Sequence, residues 1–367
     1  MTPGAWDGIV PVESRPDPHG HEQRMSAPRP GQPGRRPLHP RHGVHAPTVS
    51  TPPRRAASLR RTASTDMLRP DGLLGDLVLV GRARDLWTDA HGAARVLGES
   101  GYEARVAYLA QREIREVRSE PALAAAQRLV GTRATSGFRA VLDAALPAER
   151  DACSLLYLLL DDLPVAALVS GFALGFAFGG SHPVPKEHLK LQHPDLCAGW
   201  RSGGTIGVEI ETTGRVPLVT GPDAPPLARE DDPLAWHALP PIPPNGMRRH
   251  RRLDLTLGEK LCLDVLFRDS HVDPDGREMI VHEYSVGASV DPEQLVFESI
   301  EATARALPWI ECNPAAASAG RLVGRPLRGL RPRVRAGFTG TATCTHLNDT
   351  LRSLEDVEAL AAVATRL

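Results

Sequence analysis

The sequence predicts an α+β fold: a C-terminal antiparallel β-meander with helices packed on one face, preceded by a mainly helical region and a disordered N-terminus. Three observations predict it. Leu253, Leu255, Leu257 and then Leu261, Leu263, Val265, Phe267 alternate with polar residues, the period of half-buried strands. Asp273-Pro274-Asp275-Gly276 is a turn signal between such runs. Beyond residue 314 the apolar spacing lengthens to that of a helix. Strands followed by helices place the helices on one side of the sheet.

From the N-terminus, residues 1–66 hold ten Arg, no Lys and five acids, a net of +5, against −1 for the whole chain. Proline is dense at 28–43; it removes backbone donors and fixes φ. Few large apolar side chains are present to offset ordering entropy. A disordered basic leader is expected, or an upstream start with Met67 as the true beginning; a basic arm for nucleic acid or an acidic partner is the functional reading.

Residues 67–240 are expected to be mainly helical with a loop-rich end. The stretch 74–80, LGDLVLV, reads as a short strand. The stretches 88–100 and 103–130 are rich in Ala, Leu, Arg and Glu, all good helix formers. Helices at 134–146 and 149–160 follow, bounded by Pro147 and Pro164. The leucines at 155–160 leave no polar face, so that helix is expected deep in the core. The apolar run at 163–178 is shorter than the ~20 residues a bilayer needs, and Asp161 and Asp162 abut it; it too reads as a buried helix. Residues 207–211 and 216–220 suggest a hairpin, and PPIPPNG at 240–246 an interdomain linker.

Residues 248–367 form the α+β domain. Third and fourth strands are expected at 279–290 and 295–301, and helices at 314–323 and 326–337. Leu347, Leu351, Leu354 and Leu360 lie on one stripe of a final helix that Thr343 or Thr345 caps.

Length allows about two domains of ~150 residues. Five cysteines, odd in number and widely spaced, read as reduced thiols in a cytoplasmic protein. The near-neutral total charge argues for neither nucleic-acid nor membrane attraction. No phosphate-binding glycine loop and no nucleophile elbow is present.

At ALPWIEC (306–312) and TGTATCTHLNDTL (339–351) the chain resembles the bacterial domain of unknown function 2889, through Pro308, Cys312, Gly340, Cys344, Thr345, His346 and Leu347 over about 248–360. That family implies no established activity. In layout the domain is also similar to the iron–sulfur scaffold fold, whose ligands come from an early loop and two helix starts. Cys312, Cys344 and His346 occupy comparable places, but the early loop carries Asp269, His271 and Asp273 and no Cys.

The first candidate site is therefore Cys312, Cys344 and His346, with His271 or His282, as ligands for zinc or iron. Helix N-termini at both cysteines would lower their thiol pKa. A buried, inert pair is the competing reading. His182, His188, His193 and Cys197, with Asp195, form a second ligand-rich stretch. Asp161–Asp162 reads as a capping pair rather than an acid–base pair, since neighbours on a helix diverge by ~100°. Arg248, Arg249, His250, Arg251 and Arg252 would grip an anion or simply be solvated at a boundary. The function expected is a metal-binding accessory or sensing protein; the alternative is a thiol- or metal-dependent enzyme acting on a small organic substrate.

Overall fold

The computed structural model describes residues 38–179 and 195–367. Eight strands form its centre: β1 (Ser58–Leu68), β2 (Leu77–Thr88), β3 (Ala94–Ala107), β4 (Glu113–Glu120), β5 (Met247–Thr256), β6 (Leu261–Val272), β7 (Glu278–Val290) and β8 (Phe297–Ala306). They make one antiparallel sheet in the order β4-β3-β2-β1-β5-β6-β7-β8. Between the two sets of strands lie α1 (Phe138–Ala145), α2 (Pro147–Asp151), α3 (Leu155–Val169), α4 (Gly171–Ala177) and α5 (Thr205–Thr213). After β8 come a 3-10 segment (Ile310–Leu322), α6 (Leu330–Gly337), α7 (Thr345–Ser353) and α8 (Asp356–Ala364).

The α+β class and the C-terminal meander with its helices agree with expectation. The helices expected at 88–100 and 103–130 do not form; β3 and β4 occupy most of that sequence. Helix propensity is a weak local preference. Here Tyr102, Ala104 and Val106 alternate with Glu103 and Arg105, and burying those three on one face outweighs it. β1 likewise runs through the end of the basic leader at Ser58, while residues 1–37 lie outside the described residues. The stretch 207–211, expected in a hairpin, is helical in α5. Residues 240–246 lead into β5, which pairs along its length with β1; they enter the middle of one sheet and separate no domains.

One sheet face is covered by the helices. Leu79, Tyr102 and Ile114 pack there with Leu142 of α1 and Leu159 of α3. Leu263, Val286 and Phe297 pack with Leu347, Leu351 and Leu354. The segment Leu155–Ala177 is long and apolar enough to cross a membrane by length and composition, yet 89% of its apolar 18-residue stretch is buried inside the fold, as expected for a core helix. Ser154 caps its start by accepting from the Tyr157 amide at 3.1 Å. The other face is covered by loop: Leu227 and Trp236 pack on Leu266, and Thr51 donates to the Leu227 carbonyl.

The two four-stranded halves repeat one another. Arg60, Arg61 and Asp66 of β1 recur as Arg248, Arg249 and Asp254 of β5; Arg84, Asp85, Asp89 and Gly92 recur as Arg268, Asp269, Asp273 and Gly276. Gly92 and Gly276 hold positive φ in equivalent hairpin turns, and Asp89 and Asp273 each accept two backbone amides there. Arg60 forks Asp254 and Arg248 forks Asp66, a reciprocal pair across β1 and β5. Ala63 faces Arg251, and the spacing that carries Arg60 to Arg248 also carries Ala63 to Arg251. A residue facing its own equivalent marks a local two-fold axis through the centre of the sheet. Arg-Leu-Val-Gly occurs at 128–131 and again at 321–324. Its glycine amide bonds β4 at the Ile114 carbonyl and β8 at the Phe297 carbonyl, each at 2.8 Å.

Candidate metal centre

Alternation along β5 sends Arg249 and Arg251 beneath the helices and Arg248, His250 and Arg252 to the loop-covered face. None of the four guanidiniums is free. Arg248 forks Asp66, Arg249 forks Asp269 at 2.9 and 3.0 Å, Arg251 forks Asp162, and Arg252 reaches Asp254 and Asp264. His250 packs edge-on against Trp236. The basic run is thus neither a solvated patch nor an anion grip. It is a buried strand whose charges are neutralised locally, as burial requires.

The acidic pair is also resolved. Asp161 and Asp162 lie within α3 and not at its end. Asp161 accepts from Arg139 and Arg352, and Asp162 from Arg251. Burial raises the Asp161 carboxyl, but Arg352 and Arg139 outweigh it and hold it below its usual range. Asp161 thus ties α3 to α1 and α7, and Asp162 ties α3 to β5 of the sheet.

At the edge of this network three ligand-type side chains converge. Asp269 comes from β6, His282 from β7 and His346 from the first turn of α7. Register makes Asp269 and His282 direct neighbours, and a bulge follows at Asp269/Ser270. His346 Nε2 lies 3.6 Å and His282 Nδ1 3.9 Å from Asp269 Oδ2. The imidazoles stack with centroids 3.7 Å apart. One ligand atom from each of the three residues falls within 4.8 Å of the others. Asp269 is fully buried, whereas His282 and His346 keep 14% and 15% of their side-chain surface, so the group is not sealed from solvent.

Electrostatics keeps both rings neutral. Burial, then Arg249, lowers His346 to about 3. Burial, then the neighbouring His346, takes His282 well below the ordinary histidine value. His282 Nδ1 is buried without a hydrogen-bond partner. Unprotonated nitrogens beside a carboxylate are the donor set of zinc and ferrous sites with open positions. Arg249 takes one lone pair from each Asp269 oxygen and leaves others for an ion, while fixing the carboxylate's orientation.

The expected ligands divide into two places. His346 belongs to this group, and Cys344 Sγ lies 3.8 Å from its Nδ1. Cys312 sits in the adjacent core, where a Cβ at Gly199 would meet its sulfur at 2.9 Å. Cys312, Cys344 and Cys197 are near enough to disfavour one another's thiolates. Burial, then Cys197, pushes Cys344 up to about 11, and burial, then Cys344 and Cys197, pushes Cys312 well above its usual value. Desolvation therefore outweighs the helix N-terminus expected to activate them. His182, His188 and His193 lie outside the described residues. Asp195 holds its own loop closed by accepting from the Ser202 amide and hydroxyl. His271, two residues further along β6, is not part of the group and packs against Phe172 and Phe176 of α4, with both ring nitrogens unpartnered and buried. His271→Leu removes that desolvated polar ring and is expected to stabilise the protein by about 1 kcal/mol; a lower thermal midpoint would show that the ring nitrogens do have partners.

Asp269 and His282 are visible in the sequence only as single residues of suitable type. Their pairing depends on strand register. Comparing the chain with itself was the available signal: Arg84-Asp85 repeats as Arg268-Asp269 and marks Asp269 as the partner of a buried arginine.

Residues 247–360 match the family described as Protein of unknown function (DUF2889). No curated protein and no solved structure matches the chain.

Proposed function

We propose that this chain, whose residues 247–360 match the domain of unknown function 2889 family, binds one divalent transition metal ion, zinc or iron, through Asp269, His282 and His346. It would act as a metal-binding accessory or sensing protein of the cytoplasm. The observation that carries the reading is the convergence of three ligand atoms within 4.8 Å, two of them on imidazoles that burial keeps unprotonated. Cys344, in contact with His346, completes the surroundings as a protonated thiol; a bound cation would favour its thiolate and draw it in as a further ligand. An enzyme using Cys344 as a free nucleophile has less support, because its thiol is pushed upward.

The test is metal analysis of the full-length protein purified without chelator, beside His282→Ala and His346→Ala. One zinc or iron per chain, lost in both variants while their circular dichroism is unchanged, is the expected result. Metal-free wild-type protein that also fails to take up added zinc would end the reading.

A further inference from the structure

The repeat within the sheet carries the site to a second place. Asp85 in β2 corresponds to Asp269: each follows an arginine, each is forked by the equivalent arginine of the central strand pair, Arg61 or Arg249, and each precedes the same bulge. Asp85 faces Gly98 across β2 and β3, as Asp269 faces His282 across β6 and β7. A Cβ built at Gly98 would touch Leu155 Cδ1 at 4.0 Å and nothing nearer. Leu155 is the first residue of α3 and His346 the second of α7, and each follows a cysteine, Cys153 or Cys344, by two residues. The pair Gly98–Leu155 thus stands where His282 stacks on His346.

We propose that Asp85, Gly98 and Leu155 are a lapsed copy of the metal centre: the chain is a fused pair of one module, its first half keeps the carboxylate and its arginine but has lost both imidazoles, and metal binds once per chain. The inference rests on the reading of Asp269, His282 and His346 as a metal site. Retention of the arginine–aspartate pair in the first half is explained by its structural part. Arg61 also bonds Asp356 at 2.7 Å and the Cys153 carbonyl at 2.9 Å, so removing Asp85 would leave a buried cation short of its partner. The imidazoles carry no such load, and an apolar Leu155 fills the place without leaving unpaired nitrogens.

The experiment restores the copy. Gly98→His/Leu155→His in the full-length chain is titrated with zinc by calorimetry and metal analysis, and its imidazole resonances are followed by NMR in metal-free protein. Wild type is expected to take up one zinc and the variant two, with the two new imidazoles showing the mutual ring-current shifts of His282 and His346. A folded variant that still takes up one zinc overturns the lapsed copy while leaving the first site in place. If wild type takes up none, the metal reading itself falls, and the lapsed copy with it, whatever the resonances show of the geometry. The converse variant, His282→Gly/His346→Leu, transplants the first-half pair into the second half and guards against failure to fold. It is expected to stay folded and to bind no zinc; its unfolding would show that the two environments are not equivalent.

Discussion

Arg249→Ala is expected to destabilise the protein by about 3–5 kcal/mol, the cost of breaking a buried ion pair from one side. Arg249 is 1% exposed and forks Asp269, with Nη1 3.3 Å from Asp349 and 3.6 Å from Asp162. Its Coulomb attraction to these carboxylates offsets the penalty of burying all four groups. Truncation leaves Asp269 with no cationic neighbour as close, while Asp349 keeps Arg139 and Arg352 and Asp162 keeps Arg251. The loss therefore falls on the strand that carries the proposed metal ligand, and Arg249→Ala is expected to weaken zinc uptake along with the fold. Arg249→Lys keeps the charge but not the fork, and an intermediate loss is expected. Urea unfolding monitored by fluorescence gives the difference. A change below 1 kcal/mol for the alanine variant would mean that the carboxylates find other partners.

Acid is expected to unfold the metal-free protein well above the range in which its carboxylates titrate. On the loop-covered face His237 is bonded through Nε2 to Ser64 at 2.8 Å and through Nδ1 to Thr62 at 2.9 Å. Burial, then Arg84, Arg248 and Arg82, lowers it to about 3; burial, then Arg248 and Arg268, takes His250 well below its ordinary value. Both folded-state values lie below the unfolded value of ~6.5, so the unfolded chain binds protons that the folded chain refuses. Stability is full above pH ~6.5 and, for His237, falls by about 1.4 kcal/mol per pH unit as pH drops below it, continuing toward pH ~3. At pH 5 His237 by itself removes roughly 2 kcal/mol, and His250 adds a loss of the same sign, against a domain stability of typically about 5–15 kcal/mol. His237→Gln cannot titrate, and its stability should fall less steeply between pH 6.5 and 5 by about 1.4 kcal/mol per unit. Parallel pH profiles for wild type and variant in chelator would remove His237 from this account.

The part of the fold legible in the sequence is where local pattern and burial agree. The alternation in β5 and β6, the Asp-Pro-Asp-Gly turn and the leucine stripe near the C-terminus each place elements the structure contains. The first half was harder to read. Its strands β3 and β4 are written in Ala, Arg and Glu, residues whose intrinsic preference is helical or neutral. Only the partner strands on either side show that Tyr102, Ala104 and Val106 line a core. The basic run of β5 misleads for the same reason: five consecutive cationic-type residues look solvated until the carboxylates of Asp66, Asp162, Asp264 and Asp269, on other elements, are brought against them.

By itself the sequence determined the α+β class, the meander with its C-terminal helices and the burial of the apolar helix at α3, because each is encoded in spacings of a few residues. Only the tertiary structure decided that His346 meets Asp269 and His282, that Cys312 lies in the neighbouring core, and that two meanders join edge to edge about a local two-fold axis. Those outcomes depend on strand register and on which buried charge finds which partner, and both are set by contacts between residues far apart in the chain, where no local periodicity reports them.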